Sequence, residues 1–319
     1  MPMIPRAALD ALTLEVNGIS TDAQAKAARL LVAVDWRAAA IAECRAELVE
    51  ALLALMPAYT DAAAQAGADF YDAVREFEIG EKLGAEAFSG FEEGAFDGAI
   101  RVFVQDIVEG KAVELFERKV LGRVDRDIRR APNMAVARNA QRDPRKPRYA
   151  RVPSGAETCG FCLMLASRGA VYRTPETASH AHPNCDCRAV PSFGDGSEIE
   201  GYDPQALYRE WRGRENFSIP AAKLTRYALD LGHPRGHDKA VAFRDALGFG
   251  VDDADEIMRQ VYRWVGENKP AFRGDTPFGK TYTSDIPMTG KNGRTANVRT
   301  GWLLEPGAGK MRMTSIYVH

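Results

Sequence analysis

Residues 151–191 read RVPSGAETCGFCLMLASRGAVYRTPETASHAHPNCDCRAVP, and four of the chain's five cysteines lie within them. Cys159 and Cys162 form a C-x-x-C; His182, Cys185 and Cys187 form an H-x-x-C-x-C further on, and His180 adds a sixth candidate ligand. A C-x-x-C bends the backbone so that two thiolates can face one point. A second cluster, distant in sequence, then completes a tetrahedron, the geometry of a closed structural Zn²⁺ site with four N or S ligands. Three other readings compete. A disulfide pair suits an oxidising compartment. A redox C-x-x-C calls for a βαβ context that this stretch lacks. A catalytic zinc needs an open position and a general base, and neither H-E-x-x-H nor H-x-E…P-C-x-x-C is present. The favoured ligands are Cys159, Cys162, Cys185 and Cys187, with His182 as a substitute for one of the last two. His180 reads as a loop residue. Closure takes four ligands, and spacing leaves open which four.

Outward from this segment the chain has 319 residues, enough for two or three domains. Hydrophobic residues make up 45% and charged residues 27%, as in ordinary globular proteins, and the net charge of −2 excludes a uniformly basic nucleic-acid binder. The opening residues Met1–Arg6 lead straight into an alanine-rich helix, so no signal peptide is expected. No apolar run reaches the roughly 18 residues of a membrane span. A protein made in the cytoplasm favours metal over disulfide for its cysteines.

The expected architecture is multidomain: a mainly α N-terminal half of long helices, a small zinc-knuckle α+β middle, and a C-terminal α+β domain with an antiparallel sheet. The boundaries read as 1–130 for a helical arm or bundle, 131–153 for a basic linker, 154–216 for the Cys/His segment with a following helix, and 217–319 for the C-terminal domain. In the arm, Ser20-Thr21-Asp22 offers an N-cap and Pro57 a stop, with Val34, Ile41, Leu48 and Leu55 recurring every seven residues between them. A second helix is expected over about 60–79 and a third over about 98–120. Residues 118–151 are strongly basic. Helix is expected there up to about Arg130, and Pro132, Pro144 and Pro147 read as loop or extended chain beyond it. Arg138, Arg142, Arg145, Lys146 and Arg148 are the candidate contacts to DNA or to an acidic partner.

After Asp203-Pro204, a helix is expected through about Arg214. In the C-terminal domain, helices are expected at 238–247, closed by Gly248, and at about 252–265. Strands are expected at 278–286, 296–304 and 311–318, with Asn292-Gly293 as the hairpin turn.

The run R-V-P-S-G-A-E-T-C-G-F-C-L-M-L-A-S-R-G-A-V-Y followed by H-P-N-C-D-C resembles the signature segment of the Mu-F-like minor head proteins of tailed bacteriophages, the actinobacterial phage type in particular. The resemblance implies a protein made next to the portal, entering the procapsid in a few copies and serving head assembly or genome delivery. It implies a virion location in the capsid interior, reached from the host cytoplasm. It implies portal protein, scaffold or major capsid protein as partners, with packaged DNA reached through the basic linker. The C-terminal residues HPRGHDKAVAFRDALGF and TGKNGRTANVRTGW resemble a small uncharacterised domain at the ends of bacterial toxin-like and phage proteins. Their order of helices then sheet is also similar, at fold level, to the barnase- and RelE-like ribonucleases.

The leading function is therefore a minor capsid protein with structural zinc and no enzymatic activity required. The alternative is a toxin-like ribonuclease, delivered by phage or secretion, with His233, His237, Lys239, Arg299 and Thr314 as the groups that could hold and cleave an RNA backbone. Each of these also has a plain structural reading as a cap, a solvated first-turn residue or an outward strand residue. A third hypothesis is a zinc-dependent nucleic-acid binder that uses the basic stretch.

Overall fold

The computed structural model describes residues 3–36, 41–155, 158–178, 185, 187–194 and 198–319. The chain divides into two compact units, 1–202 and 203–319. The first is mainly helical, and the second carries a largely antiparallel sheet.

Three long helices dominate the first unit: α1 (Arg6–Ala33), α2 (Ile41–Ile79) and, after the shorter α3 (Glu93–Phe103) and α4 (Gln105–Val108), α5 (Val113–Arg142). In α1 the buried residues Leu9, Leu12, Val16, Ser20, Ala23, Ala27 and Leu31 step by three and four, which makes one continuous seam. Ser20 is therefore an interior residue and not the expected N-cap. Its hydroxyl donates to the buried Asp125 carboxylate of α5 at 2.6 Å. The expected heptad seam is split, because α1 ends at Ala33 and α2 begins at Ile41. Pro57 does not stop the second of these helices: it sits inside α2, as Pro132 sits inside α5. An interior proline costs about 3 kcal/mol. Here the buried run Ala131, Met134, Ala135, Val136, Ala137 and Ala140 offsets that cost, so α5 continues to Arg142 where a loop was expected. Close helix approach makes the burial possible. A Cβ on Gly67 of α2 would lie 2.5 Å from the Pro132 carbonyl oxygen.

The expected helix over 98–120 is divided among α3, α4 and the start of α5. Residues 83–86 run beside the bundle without helix. Asp72 accepts from the N–H groups of Leu83 and Ala85, and Asn139 exchanges bonds with both backbone groups of Glu86. After α5, the strand β1 (Arg148–Pro153) pairs antiparallel with β2 (Cys187–Ser192); the short helices α6 (Gly160–Ala166) and α7 (Pro175–Ala178) lie between them in sequence. The segment read as a basic linker is thus a helix end, a turn and a strand.

The second unit begins with α8 (Pro204–Asn216), capped by the Asp203 carboxylate on the N–H groups of Gln205 and Ala206. Contrary to the expected grouping with the cysteine segment, α8 packs on α10 (Ala254–Glu267). Gly213 and Gly266 let the backbones meet: a Cβ on either would come within about 2 Å of a carbonyl oxygen, that of Tyr262 at 2.1 Å or Arg209 at 1.9 Å. A π-helical turn (Leu224–Ala228) precedes α9 (His237–Leu247), which ends on Gly248 at φ +72°. The sheet order is β3-β7-β6-β5-β4, from β3 (Phe217–Ser218), β4 (Ala271–Thr276), β5 (Gly279–Thr289), β6 (Thr295–Leu304) and β7 (Met311–Val318). Only β3 runs parallel to its neighbour. Strand β4 was not expected; it is mostly exposed and carries no apolar alternation to announce it. The core joins Phe243, Leu247, Ile257 and Val261 from the helices to Met288, Val298, Trp302 and Met313 from the sheet.

Candidate metal centre

Three thiols converge in the first unit. Cys162 comes from the first turn of α6, Cys187 opens β2, and Cys185 lies two residues before it; all three are buried. Their sulfurs lie within 4.8 Å of one another, and Cys162 Sγ and Cys185 Sγ are 3.8 Å apart. No disulfide fits that distance, because an S–S bond is about 2.05 Å, and all five cysteines are free. Zinc does fit. With Zn–S bonds of about 2.3 Å, the edge of a tetrahedron is about 3.8 Å.

The packing around the sulfurs explains why they meet. Asn133, buried on α5, grips β2 from the side: its amide nitrogen donates to the Cys187 carbonyl (3.1 Å) and its oxygen accepts from Ala189 N–H (2.7 Å). Arg151 on β1 is fully buried. It donates through Nη1 to the Ala178 carbonyl (3.0 Å) and through Nη2 to Cys185 Sγ (4.0 Å). Hydrogen bonds from Cys162 and Cys187, together with the charge of Arg151, favour the thiolate of Cys185 and hold its pKa below the usual thiol range. The proton shared with Cys185 pushes Cys162 the other way. Three buried sulfurs gathered beside a guanidinium are a site that a divalent metal can enter as the thiol protons leave.

Cys159, the remaining cysteine of the motif, precedes α6 and is exposed. It caps α6, where its exposed sulfur accepts the Cys162 N–H at 3.3 Å. His182 and His180 lie outside the described residues. Arg151 was read only as part of a basic run. No local signal marks it as a strand residue beside the cysteines: Tyr149, Ala150, Arg151 and Val152 are all buried, so β1 carries no alternation of polar and apolar positions.

The five basic contact candidates Arg138, Arg142, Arg145, Lys146 and Arg148 are all exposed. Arg142 pairs with Glu86 (2.5 Å), Lys146 donates to the Gln141 carbonyl, and Arg138 lies over the Phe88 ring. Much of the preceding basic helix is neutralised internally, through Arg123–Asp127, Arg129–Asp125 and Lys119–Asp106.

In the second unit, the ribonuclease candidates are partly brought together. His233 packs against Tyr227, Lys239 lies over both Tyr227 and Tyr317, and Arg299 stands opposite Tyr317 in the sheet register. His237 Nδ1 is instead bonded to the Leu231 carbonyl (2.7 Å). Thr314 crowds Gly301, where a Cβ would lie 3.1 Å from its hydroxyl. Tyr227 and Tyr317, which link the others, were not singled out in the sequence.

No helix among the described residues is long and apolar enough to cross a membrane. No curated protein and no solved structure matches the chain. A family model described as a domain of unknown function, DUF6883, matches residues 212–319, close to the extent of the second unit. A model described as VG15 protein matches residues 3–213 and supports a phage protein. Because that match takes in the whole helical bundle and the thiol cluster, about two thirds of the polypeptide, the chain belongs to the VG15 protein family.

Proposed function

We propose that this phage protein is a minor head protein of the Mu-F-like kind, placed in the capsid interior, where it assists head assembly or genome delivery. The observation that carries the reading is the VG15 match over residues 3–213. The long three-helix bundle is the part offered to portal, scaffold or major capsid protein. The exposed Arg138, Arg142, Arg145, Lys146 and Arg148 are the part offered to packaged DNA, by sequence-independent phosphate contacts.

The buried Cys162, Cys185 and Cys187 would hold a structural Zn²⁺, with Cys159 or His182 as the fourth ligand. Bound there, the ion supplies a cross-link between α6 and β2 and no reaction chemistry.

Mass spectrometry of purified particles tests the location: a few copies per particle are expected, and absence from particles would end the reading. Elemental analysis of the purified protein tests the centre separately. About one equivalent of zinc is expected, and a Cys162→Ser, Cys185→Ser double variant should lose it.

A further inference from the structure

The motif HPRGHDK at 233–239 has no part in the metal centre. Its turn is seated on the π-helical turn Leu224–Ala228, a rare conformation found frequently at functional sites. The fit is tight: a Cβ on Gly236 would come within 2.1 Å of the Tyr227 carbonyl oxygen, so only glycine allows the contact. His233 Nδ1 accepts the N–H groups of Arg235 (3.2 Å) and Gly236 (3.0 Å), which fixes the ring edge-on to Tyr227 at a centroid distance of 4.9 Å. With Nδ1 accepting, the neutral imidazole carries its proton on Nε2, as a donor.

Lys239 follows in the first turn of α9. Its Nζ is 4.8 Å from the Tyr227 ring centre and 5.5 Å from that of Tyr317. Among the described residues it has no ion-pair partner. Tyr317 stands opposite Arg299, and Arg299 stands opposite Asp285, which takes its Nε and Nη2 at 2.6 and 2.8 Å. The neighbours of Asp285 and of Arg299 along their strands are buried, so both side chains point away from the core. Strand β3 pairs with β7 only at Met311 and Arg312, which leaves the Tyr317 end of that strand to the π-helical turn and α9. The result is a row running His233, Tyr227, Lys239, Tyr317, Arg299. It holds two fixed cations, two phenols and an imidazole N–H against one carboxylate.

We propose that this row is a phosphate-binding surface for single-stranded nucleic acid. Interleaved cations and aromatic rings are the composition that binds a flexible phosphodiester backbone with little regard for sequence. Lys239 is its central contact, held in place by the two rings and not committed to a carboxylate. An acidic peptide would be drawn by the charges alone and would have no use for the rings.

The test uses the full chain and two probes, a short fluorescein-labelled oligouridylate and the matching oligothymidylate, followed by anisotropy over a range of salt. Both Lys239→Met and Lys239→Arg are compared with the parent protein. Lys239→Met should weaken binding about tenfold and flatten the log–log salt slope by about 0.7, one single-strand phosphate contact. Lys239→Arg should restore both. Preference for one oligonucleotide identifies the occupant as RNA or as single-stranded DNA. Cross-linking of a 4-thiouridine oligonucleotide to the unaltered protein gives a readout that does not depend on any variant folding, with adducts expected on peptides containing Tyr227 or Tyr317. Unchanged affinity in a natively melting Lys239→Met protein, or adducts confined to residues 138–148, would overturn the proposal. Neither result touches the minor-head reading, which rests on the first unit.

Discussion

Asp143 is the place where one substitution should do most harm to the bundle. It caps α5 and is fully buried; it accepts Arg75 Nε at 2.7 Å, the Tyr71 hydroxyl at 3.0 Å and the Arg145 N–H at 2.9 Å. Arg75 is itself buried, so Asp143→Ala leaves a guanidinium without its main counter-ion. Breaking a buried pair by removing one partner costs about 3–5 kcal/mol. The lower end applies here, because Arg75 keeps the Glu81 carbonyl at 2.7 Å and the Glu81 carboxylate at 3.4 Å. At about 2–4 °C per kcal/mol for a unit of this size, a loss of about 3 kcal/mol lowers the melting temperature by about 6–12 °C. Circular dichroism melts of Asp143→Ala, Arg75→Met and the Arg75→Met, Asp143→Leu double variant measure it. The double variant should recover much of the loss, because it buries no orphaned charge. The pH dependence gives a second check. Burial alone would raise the Asp143 pKa, but the bonds from Arg145, Arg75 and Tyr71 outweigh it and hold the group below the ordinary carboxylate range. The ionised carboxylate therefore contributes stability above the unfolded pKa of about 3.9, and that contribution fades as pH falls through the lower folded value. The gap between parent and Asp143→Asn should accordingly narrow in acid. A loss below about 1 kcal/mol in Asp143→Ala, or a double variant as unstable as the worse single one, would refute the reasoning.

Three further outcomes are expected. A zinc chelator should lower the melting temperature of the loaded protein by about 5–11 °C, the effect of removing a ligand present at a hundredfold its Kd; no shift would mean that the thiols hold nothing structural. Asn133→Ala strands the Cys187 carbonyl and the Ala189 N–H, and should cost about 1–3 kcal/mol in urea melts and weaken zinc binding by about tenfold or more in chelator competition. Gly67→Ala forces a methyl group against the Pro132 carbonyl and should destabilise by about 1–3 kcal/mol, seen as a lower urea midpoint at unchanged slope.

The second unit was the more legible in the sequence. The Asn292-Gly293 turn, with Gly293 at φ +76°, sets the hairpin register that places Asp285 opposite Arg299, and Gly248 closes α9 as its position demands. What the strands carry locally agrees with what they do globally. In the bundle the local signals misled. Ser20, Pro57 and Pro132 are boundary residues by propensity, yet each lies within a helix whose buried face outweighs the local preference. The cysteine motif pointed correctly to a clustering of thiols, and three of its members meet. It did not say that Cys159 would cap a helix, nor that an arginine from the basic run would lie beside the sulfurs. The second of these depends on β1 pairing with β2, a contact between segments separated by more than thirty residues.

The order of strands in the second sheet bears on how the polypeptide leaves the ribosome. Of the five strands β7 is made last, yet it lies inside the sheet, between β6 and β3, and brings Met313 and Ile316 to the core. Until it emerges, Trp302 and Val298 have no neighbour on that side, so the sheet stays open until β7 has been made, while the residues of the first unit are complete by position 202. A nascent chain interrupted before residue 311 would thus present a finished helical bundle with an open, apolar sheet attached, a form that quality-control proteases would recognise and remove.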